Sequence, residues 1–446
     1  MSYQVPQHID PNKVFLINHS ELEGRLDSDF YNPSYYQIFD SEKVKWVRLK
    51  TVIKNLKHPP EYKRIFATEG YQLIRSQNVR PSGINLCESP VYLADEAVQS
   101  SAIFPHVNDI LIVRSGVNAG DVAVVEEEYK KVTIGADTLL LNVTQDVLPK
   151  FVQIYFMTEI GRKQLNRHIT GATNKHLNSY SLKRVYFPKV NLLTQSNCVS
   201  IIESAFVENK QKEEQAKALL QSIDEYLLGE LGIERPSPTR TENGRFFYTS
   251  FHNLMGSEWA PLCIKNNGKR SKSTIYKEVK LSTIATIAKG QAITSKEIVN
   301  GNYPVIAGGQ SSPYSHNQYN YKGNIVTISA SGAYSGYVWY HNYPIFASDC
   351  SVIFSNDENV YLTKYIYEIL RLRQQEIYLL QKGAGQPHVY PSDIANLTIP
   401  AIPLEKQQDI VAYCQELRNK AELLQKEGRD IISTAKDAIE QMIIGN

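Results

Sequence analysis

The feature that most constrains this chain is that its second half repeats its first. At an offset of 212 residues, Gly171-Ala172-Thr173-Asn174-Lys175-His176-Leu177 meets Gly383-Ala384-Gly385-Gln386-Pro387-His388-Val389. The register then runs on without a gap through Leu182 on Ile394, Val185 on Leu397, Pro188 on Pro400, Val190 on Ile402, Leu192 on Leu404 and Gln195 on Gln407. Upstream, Ala136-Asp137 meets Ser348-Asp349 in the same register. Further back the offset rises to 216, where Ser115-Gly116 and Gly120 meet Ser331-Gly332 and Gly336. Near the start of each repeat it is 232, pairing Val47, Leu49 and Tyr71 with Val279, Leu281 and Tyr303. Short solenoid repeats have periods of about 20–50 residues; a period this long, drifting only between blocks, predicts two copies of one domain with loops of different length.

Each half reads as a strand-rich module followed by a helix. In the second half, residues 303–307, 324–329, 337–340 and 351–354 are short runs rich in Val, Ile, Tyr and Trp, divided by Gly, Asn and Ser turns, which predicts strands. Residues 361–381 predict a helix inside the module, and a Gly-rich loop with a strand ending at Pro400 or Pro403 closes it. The pattern then changes to a long helix. Ile410, Cys414, Leu417, Ala421, Leu424, Gly428, Ile431, Ala435, Ala438 and Met442 alternate spacings of four and three, a heptad seam. Val199, Ile202, Phe206, Ala216, Leu220, Ile223 and Leu227 keep the same rhythm in the first half, interrupted at Asn209 and Glu213. Matching seams in one chain predict an intramolecular coiled coil; the alternative is that each helix covers only its own module. The expected organisation is a first module over residues 1–190, a helix over 191–234, a linker over 235–258 marked by Pro236 and Pro238, a second module over 259–400 and a second helix over 401–446.

Several chemistries are excluded. The five cysteines, Cys87, Cys198, Cys263, Cys350 and Cys414, are odd in number and none lies within four residues of another, so no metal site or disulfide framework is expected. The opening MSYQVPQHIDPNKVF lacks a basic region followed by an apolar stretch, and no apolar run of about 18 residues occurs, so a soluble cytoplasmic protein is expected. Gly268-Lys269-Arg270 lacks the upstream Gly and following Ser/Thr of a phosphate loop. Gly383-Ala384-Gly385 stands between a helix and a strand, the reverse of a dinucleotide fingerprint. There is no Gly-x-Ser-x-Gly and no His-Glu-x-x-His. Asn32-Pro33-Ser34-Tyr35 lacks the second proline of an adenine methyltransferase motif, and no glycine-rich cofactor loop accompanies it. The Glu-x-Lys triplets at Glu61 and Glu278 lack the preceding Pro-Asp of a nuclease. No catalytic residue is predicted.

The net charge is only +2, which by itself argues against nucleic acid. Its distribution argues the other way: residues 1–190 carry +3 and residues 259–400 carry +5, whereas 191–245, 246–258 and 401–446 carry −3, −1 and −2. Basic modules on acidic helices suit two surfaces facing DNA and a spacer facing something else. The 28 tyrosines add side chains that both stack and hydrogen-bond. The polar loops are rich in groups that read base edges or phosphates. In the first half the candidates are Arg75, Gln77, Asn78, Arg80, Arg114, Asn118, Asn174, Lys175 and His176. In the second they are Lys289, Gln291, Gln310, Ser312, Tyr314, His316, Asn317, Tyr334, Gln386 and His388. For each, the alternative is an ordinary turn residue.

The stretch 383–410, GAGQPHVYPSDIANLTIPAIPLEKQQDI, resembles the signature of specificity subunits of type I restriction-modification systems. Arg25-Leu26-Asp27-Ser28-Asp29-Phe30-Tyr31-Asn32-Pro33 resembles that family's usual start to its first recognition domain. The first-half copy departs from the pattern, with Lys175 in place of Pro387 and no proline in 191–194 to match Pro403. The resemblance implies an α+β chain in which two strand-rich α/β target recognition domains are held apart by long antiparallel coiled-coil helices in a pseudo-twofold arrangement. It implies a non-catalytic reader of double-stranded DNA. The helices, through Ile202, Phe206, Leu220, Ile223, Leu227, Ile410, Leu417, Leu424, Ile431 and Met442, would form the seam and dock modification subunits, two per chain. S-adenosylmethionine would be bound by those methyltransferase partners, and ATP with magnesium by restriction subunits. Seams of this length span roughly 45 to 50 Å at 1.5 Å per residue, against about 34 to 36 Å for a DNA turn, so a bipartite, asymmetric site with an unread spacer is expected. A self-sufficient methyltransferase or nuclease, and an orphan or decoy binding protein, remain the alternatives.

Overall fold

The computed structural model describes residues 9–10, 12–23, 25–35, 44–98, 101–171, 173–234, 271–383 and 385–444. The expected linker at 235–258, residues 259–270 and Cys263 lie outside the described residues. The chain divides into two compact units, one of residues 1–213 with 425–446 and one of residues 214–424. Each long helix is thereby shared between the units rather than set apart as a region of its own.

In unit 1 the frame consists of β1 (Trp46–Arg48), β2 (Ile53–Lys57), β3 (Tyr71–Ile74), β4 (Ile110–Val113), β5 (Val122–Val124), β6 (Val132–Ile134), β7 (Thr138–Val143), α1 (Pro149–Tyr155) and β8 (Tyr186–Pro188). The antiparallel sheet runs β2-β7-β4-β5, β3 pairs with β6 in parallel, and β1 closes on β8. The sequence of β4, Ile-Leu-Ile-Val, has no polar alternation because both of its faces are covered. Ile110 and Ile112 enter a core with Phe151, Tyr155 and Phe187, while Leu111 and Val113 enter a second core with Ile74, Val79 and Ile134. The segment before β1 is tied down by Glu23, which accepts from Arg48 (2.7 Å) and Arg184. Burial pushes the Glu23 carboxyl up, but the two guanidiniums outweigh it and hold it below its ordinary value.

In unit 2 the same order recurs in β9 (Glu278–Lys280), β10 (Ala285–Lys289), β11 (Tyr303–Ile306), β12 (Ile325–Ser329), β13 (Val338–His341), β14 (Phe346–Ala347), β15 (Cys350–Ser355), α3 (Thr363–Leu372) and β16 (Thr398–Pro400). The sheet runs β10-β15-β12-β13, β11 pairs with β14 in parallel, and β9 closes on β16. Here too the central strand divides its side chains between two cores, Val326 and Ile328 in one and Ile325 in the other. The helix expected over 361–381 is broken at Arg373, which leaves helical geometry at ψ 19°. Its buried guanidinium is drawn to Glu278 Oε1 (3.0 Å) and to the carbonyl of Thr398.

The long helices are α2 (Leu192–Glu230) and α4 (Leu404–Ile444). In unit 1, Cys198, Ile202 and Ala205 share a core with Ala435, Ile439 and Ile443, flanked by Phe206, Ile431 and Met442, while Lys212 pairs with Glu427 at 2.7 Å. In unit 2, Ile223, Leu227 and Leu231 share a core with Ile410, Cys414 and Leu417, flanked by Leu220. Leu424 is half-buried. One expectation of the heptad seam is corrected: beyond Ala435 the buried positions are Ile439 and Ile443, and Ala438 is exposed. The stripe advances by fours there because a helix of 3.6 residues per turn drifts off a 3.5-residue repeat.

Candidate nucleic-acid interface

In each unit two of the polar loops predicted from sequence meet at one end of the sheet. In unit 1 the β4–β5 hairpin turns through residues 114–121, with Gly116 and Gly120 at φ +91° and +89°, conformations that side chains rarely adopt. Loop 170–177 is stitched to that turn: Gly116 N donates to Lys175 O (3.0 Å) and Leu177 N to Arg114 O (2.7 Å). The loop is closed on itself by reciprocal bonds between Thr170 and His176 at 2.9 and 2.7 Å. Unit 2 repeats each bond, with Gly332 N donating to Pro387 O (3.1 Å), Val389 N to Ala330 O (3.0 Å), and Lys382 and His388 bonding reciprocally at 2.9 and 2.8 Å. The backbone frame of the two tips is common.

What the frame carries is not. In unit 1 Arg114 donates through Nη1 to His58 Nε2 and to Ala136 O (3.3 Å), and through Nη2 to His176 Nε2 (2.8 Å). Since His176 accepts at Nε2, its Nδ1 proton points to Ser115 Oγ, 3.2 Å away. Burial, then the charge of Arg114, then His176 hold His58 below the ordinary imidazole range, which keeps it a neutral acceptor. Behind the turn, Asp121 lies 3.2 Å from Arg162 and 3.9 Å from Arg80. Burial raises its carboxyl against the pull of both arginines. In unit 2 the position of Arg114 is taken by Ala330, and the neighbouring Ser331 hydroxyl donates to Asp349 Oδ2. Gly308 is pressed so close to Ser331 O that a Cβ would come within 2.4 Å. The ring of His388 stacks near Tyr390 (6.1 Å, 21°). One tip is built around a guanidinium between two imidazoles, the other around a hydroxyl–carboxylate pair and one imidazole beside a phenol.

The remaining sequence candidates sort by exposure. Asn174 and Lys175 are exposed at the loop apex, and Asn118 is half-buried beside Val117, which is 86% exposed. Gln77 is half-buried. Arg75 is turned back on its own loop, Nη2 donating to Ser89 O at 2.5 Å. In unit 2, Lys289, Gln291, Gln310, Tyr314, Asn317, Tyr334 and Gln386 are exposed. Three residues are corrected. Asn78 is 2% exposed, with its amide spent on Arg75 N, Asn85 O and Glu88 O, so it braces the loop. His316 is buried against Phe346 and its Nδ1 accepts from Val299 N at 3.1 Å, so the ring braces its own segment. The Ser312 hydroxyl stays within its loop, 2.9 Å from Val305 O and 3.0 Å from Tyr314 O. Sequence reasoning missed His58, Arg162 and Asp349. The signal for His58 was its place directly after strand β2, at the same sheet end as the hairpin. Among the described residues no cluster of His, Cys, Asp and Glu could hold a metal ion, and no helix is long and apolar enough to cross a membrane.

Residues 275–431 match the family model described as the type I restriction modification DNA specificity domain. No curated protein matches the chain. Among solved structures, one titled for complex assembly and conformational transition of the type I R-M system is 14% identical, covers 90% of this chain and 97% of its own, and superposes with a TM-score of 0.51, a likeness of fold. The type I restriction-modification S subunit from M. genitalium is 14% identical over 90% of this chain and 96% of its own, with a TM-score of 0.46. The HsdS subunit from Thermoanaerobacter tengcongensis is 15% identical over 91% and 97%, with a TM-score of 0.36.

Proposed function

We propose, from the membership of residues 275–431 in the DNA specificity domain family of type I restriction-modification systems, that the whole chain is the sequence-reading subunit of such a complex. It reads double-stranded DNA at a bipartite, asymmetric site and directs adenine methylation and restriction by partner subunits in the cytoplasm. Its recognition domains are residues 1–190 and 259–400, joined by helices 191–234 and 401–446 that form the antiparallel coiled-coil spacer of a pseudo-twofold arrangement. The chain is not itself catalytic. Two modification subunits per chain supply S-adenosylmethionine, and restriction subunits use ATP and magnesium.

The observation that supports this best is the pair of tips: one hydrogen-bonded backbone frame built twice, keeping Ser115 and His176 as Ser331 and His388, but with Arg114, His58 and Asn174 in one unit where the other has Ala330, Gly290 and Gln386. Phosphate contacts fix a protein on DNA and carry no sequence information, whereas base contacts specify. A duplicated frame with divergent side chains therefore suits a reader of two different half-sites. The test is methylome sequencing of cells carrying the chain with its modification partner. Two short, unlike half-sites separated by a fixed unread spacer are expected; a single continuous palindrome overturns the reading.

A further inference from the structure

We propose that Arg114 is the residue by which unit 1 selects a guanine in its half-site, and that His58 is a positioning residue that fixes the guanidinium for that contact. The inference rests on the DNA-reading function proposed above and deepens it.

A guanidinium has five N–H donors in a rigid fork. Three of them are committed in this structure: two on Nη1, toward His58 Nε2 and Ala136 O, and one on Nη2, toward His176 Nε2. Nε–H and one Nη2 proton have no partner among the described residues, and with both Nη1 protons engaged the edge left for a ligand is the one formed by Nε and Nη2. Two parallel donors on one edge match the O6 and N7 acceptors of guanine in the major groove. The two imidazoles hold different nitrogens of the guanidinium, His58 at Nη1 and His176 at Nη2. His58 accepts at Nε2 and stays neutral beside the arginine, and His176 is itself fixed by Ser115 and by its backbone bonds to Thr170. Arg114 therefore starts with much of its rotamer freedom already lost, which removes part of the entropy cost of docking.

The same donor pair also fits two phosphate oxygens, and the comparison of units decides between the two. Backbone phosphates are alike at both half-sites, so a phosphate anchor has no reason to differ between two copies of one frame. Base readers do. The position of Arg114, defined in both units by an N–H bond to the carbonyl of the Asp just before β7 or β15 (Asp137 or Asp349) and by an N–H from Leu177 or Val389 to its own carbonyl, holds Ala330 in unit 2. Likewise, where His58 follows the end of β2 at Lys57, Gly290 follows the end of β10 at Lys289. The guanidinium and its imidazole vary together.

The experiment maps genome methylation directed by the full chain with its modification partner, comparing wild type with Arg114→Ala, Arg114→Lys, His58→Leu and His58→Gln. A bidentate contact of this kind is worth about 1–3 kcal/mol of discrimination. Both Arg114 variants should therefore relax one guanine position in one half-site by roughly ten- to a hundredfold and leave the other half-site unchanged; Lys keeps the charge but cannot supply the paired donors. His58→Leu should relax the same position partially, and His58→Gln, which keeps an acceptor, should preserve it. Methylation that falls uniformly at all sites with the motif unchanged, or a relaxed position that is not guanine, overturns the proposal. A wild-type chain that directs no methylation overturns the underlying DNA-reading function instead, so the two failures are distinct.

Discussion

The two units share a strand order and a set of loop hydrogen bonds, yet they are fastened to their long helices by different chemistry. Both units share a glutamine at the start of the long helix, Gln195 accepting from Leu148 N and Gln407 from Leu362 N (2.8 Å each), and differ beyond it. In unit 1 the remaining contact is mainly apolar, with Phe151, Ile154 and Ile160 in the core that also holds Ile202, Ile439 and Ile443, and a bond from Ile160 N to Glu440 Oε2 (3.1 Å). In unit 2, helix α3 carries Glu368, fully buried, in a two-pronged ion pair with Arg418. The surroundings of that pair are Tyr367, Lys364 and Cys414. The lesson is that the backbone frame and the side chains hung on it answer to different constraints. The frame has to fold; the tips and the helix attachments are free to diverge so long as buried charges stay paired.

That difference can be broken most severely at the ion pair. Removing one member of a buried pair leaves the other uncompensated, at about 3–5 kcal/mol. Glu368→Leu is expected to destabilise unit 2 on that scale in denaturant unfolding followed by hydrogen exchange, with the protection of unit 1 amides little changed. Glu368→Leu with Arg418→Met should recover most of the loss, since an apolar replacement of both partners is often neutral. A double variant no more stable than the single one would show that the pair contributes more than mutual neutralisation.

A smaller effect is expected at the polar interruption of the helix pair in unit 1. Gly428 faces Asn209, whose Oδ1 would lie 2.4 Å from a Cβ at that position, and Asn209 Nδ2 donates to Glu213 Oε1 at 3.0 Å. Ala in place of Gly within a helix ordinarily gains about 1 kcal/mol. Gly428→Ala should gain little or nothing, because Asn209 has to move, whereas Gly428→Ala in an Asn209→Ala background should gain that amount. Chemical denaturation of the four proteins of the cycle measures the coupling. Equal gains in both backgrounds would mean that the two positions do not restrict each other.

Much of this architecture was legible in the sequence because it arises from local rules. The repeat, the strands of unit 2 and the long helices follow from apolar periodicity, and the paired glycines at 116 and 332 or 120 and 336 mark the same hairpin turn twice. What escaped was set by contacts distant in sequence. Asn78 and His316 occupy loops whose composition suits DNA, but loop closure turns both side chains inward. His58 stands 56 residues from Arg114, so no motif joins them. The break at Arg373 depends on Glu278, 95 residues earlier. The drift of the buried stripe to Ile439 and Ile443 reflects helix geometry against the core of unit 1, which a heptad count does not contain.

The central claim is that one frame is used twice and that its tips determine the sequence read. Its most direct test replaces residues 278–400 by a second copy of residues 46–188, the corresponding span of unit 1, and sequences the methylome directed by the chimera with its modification partner. The asymmetric site is expected to become two identical half-sites in inverted orientation, both those of unit 1. A chimera that still methylates the original asymmetric site would contradict it.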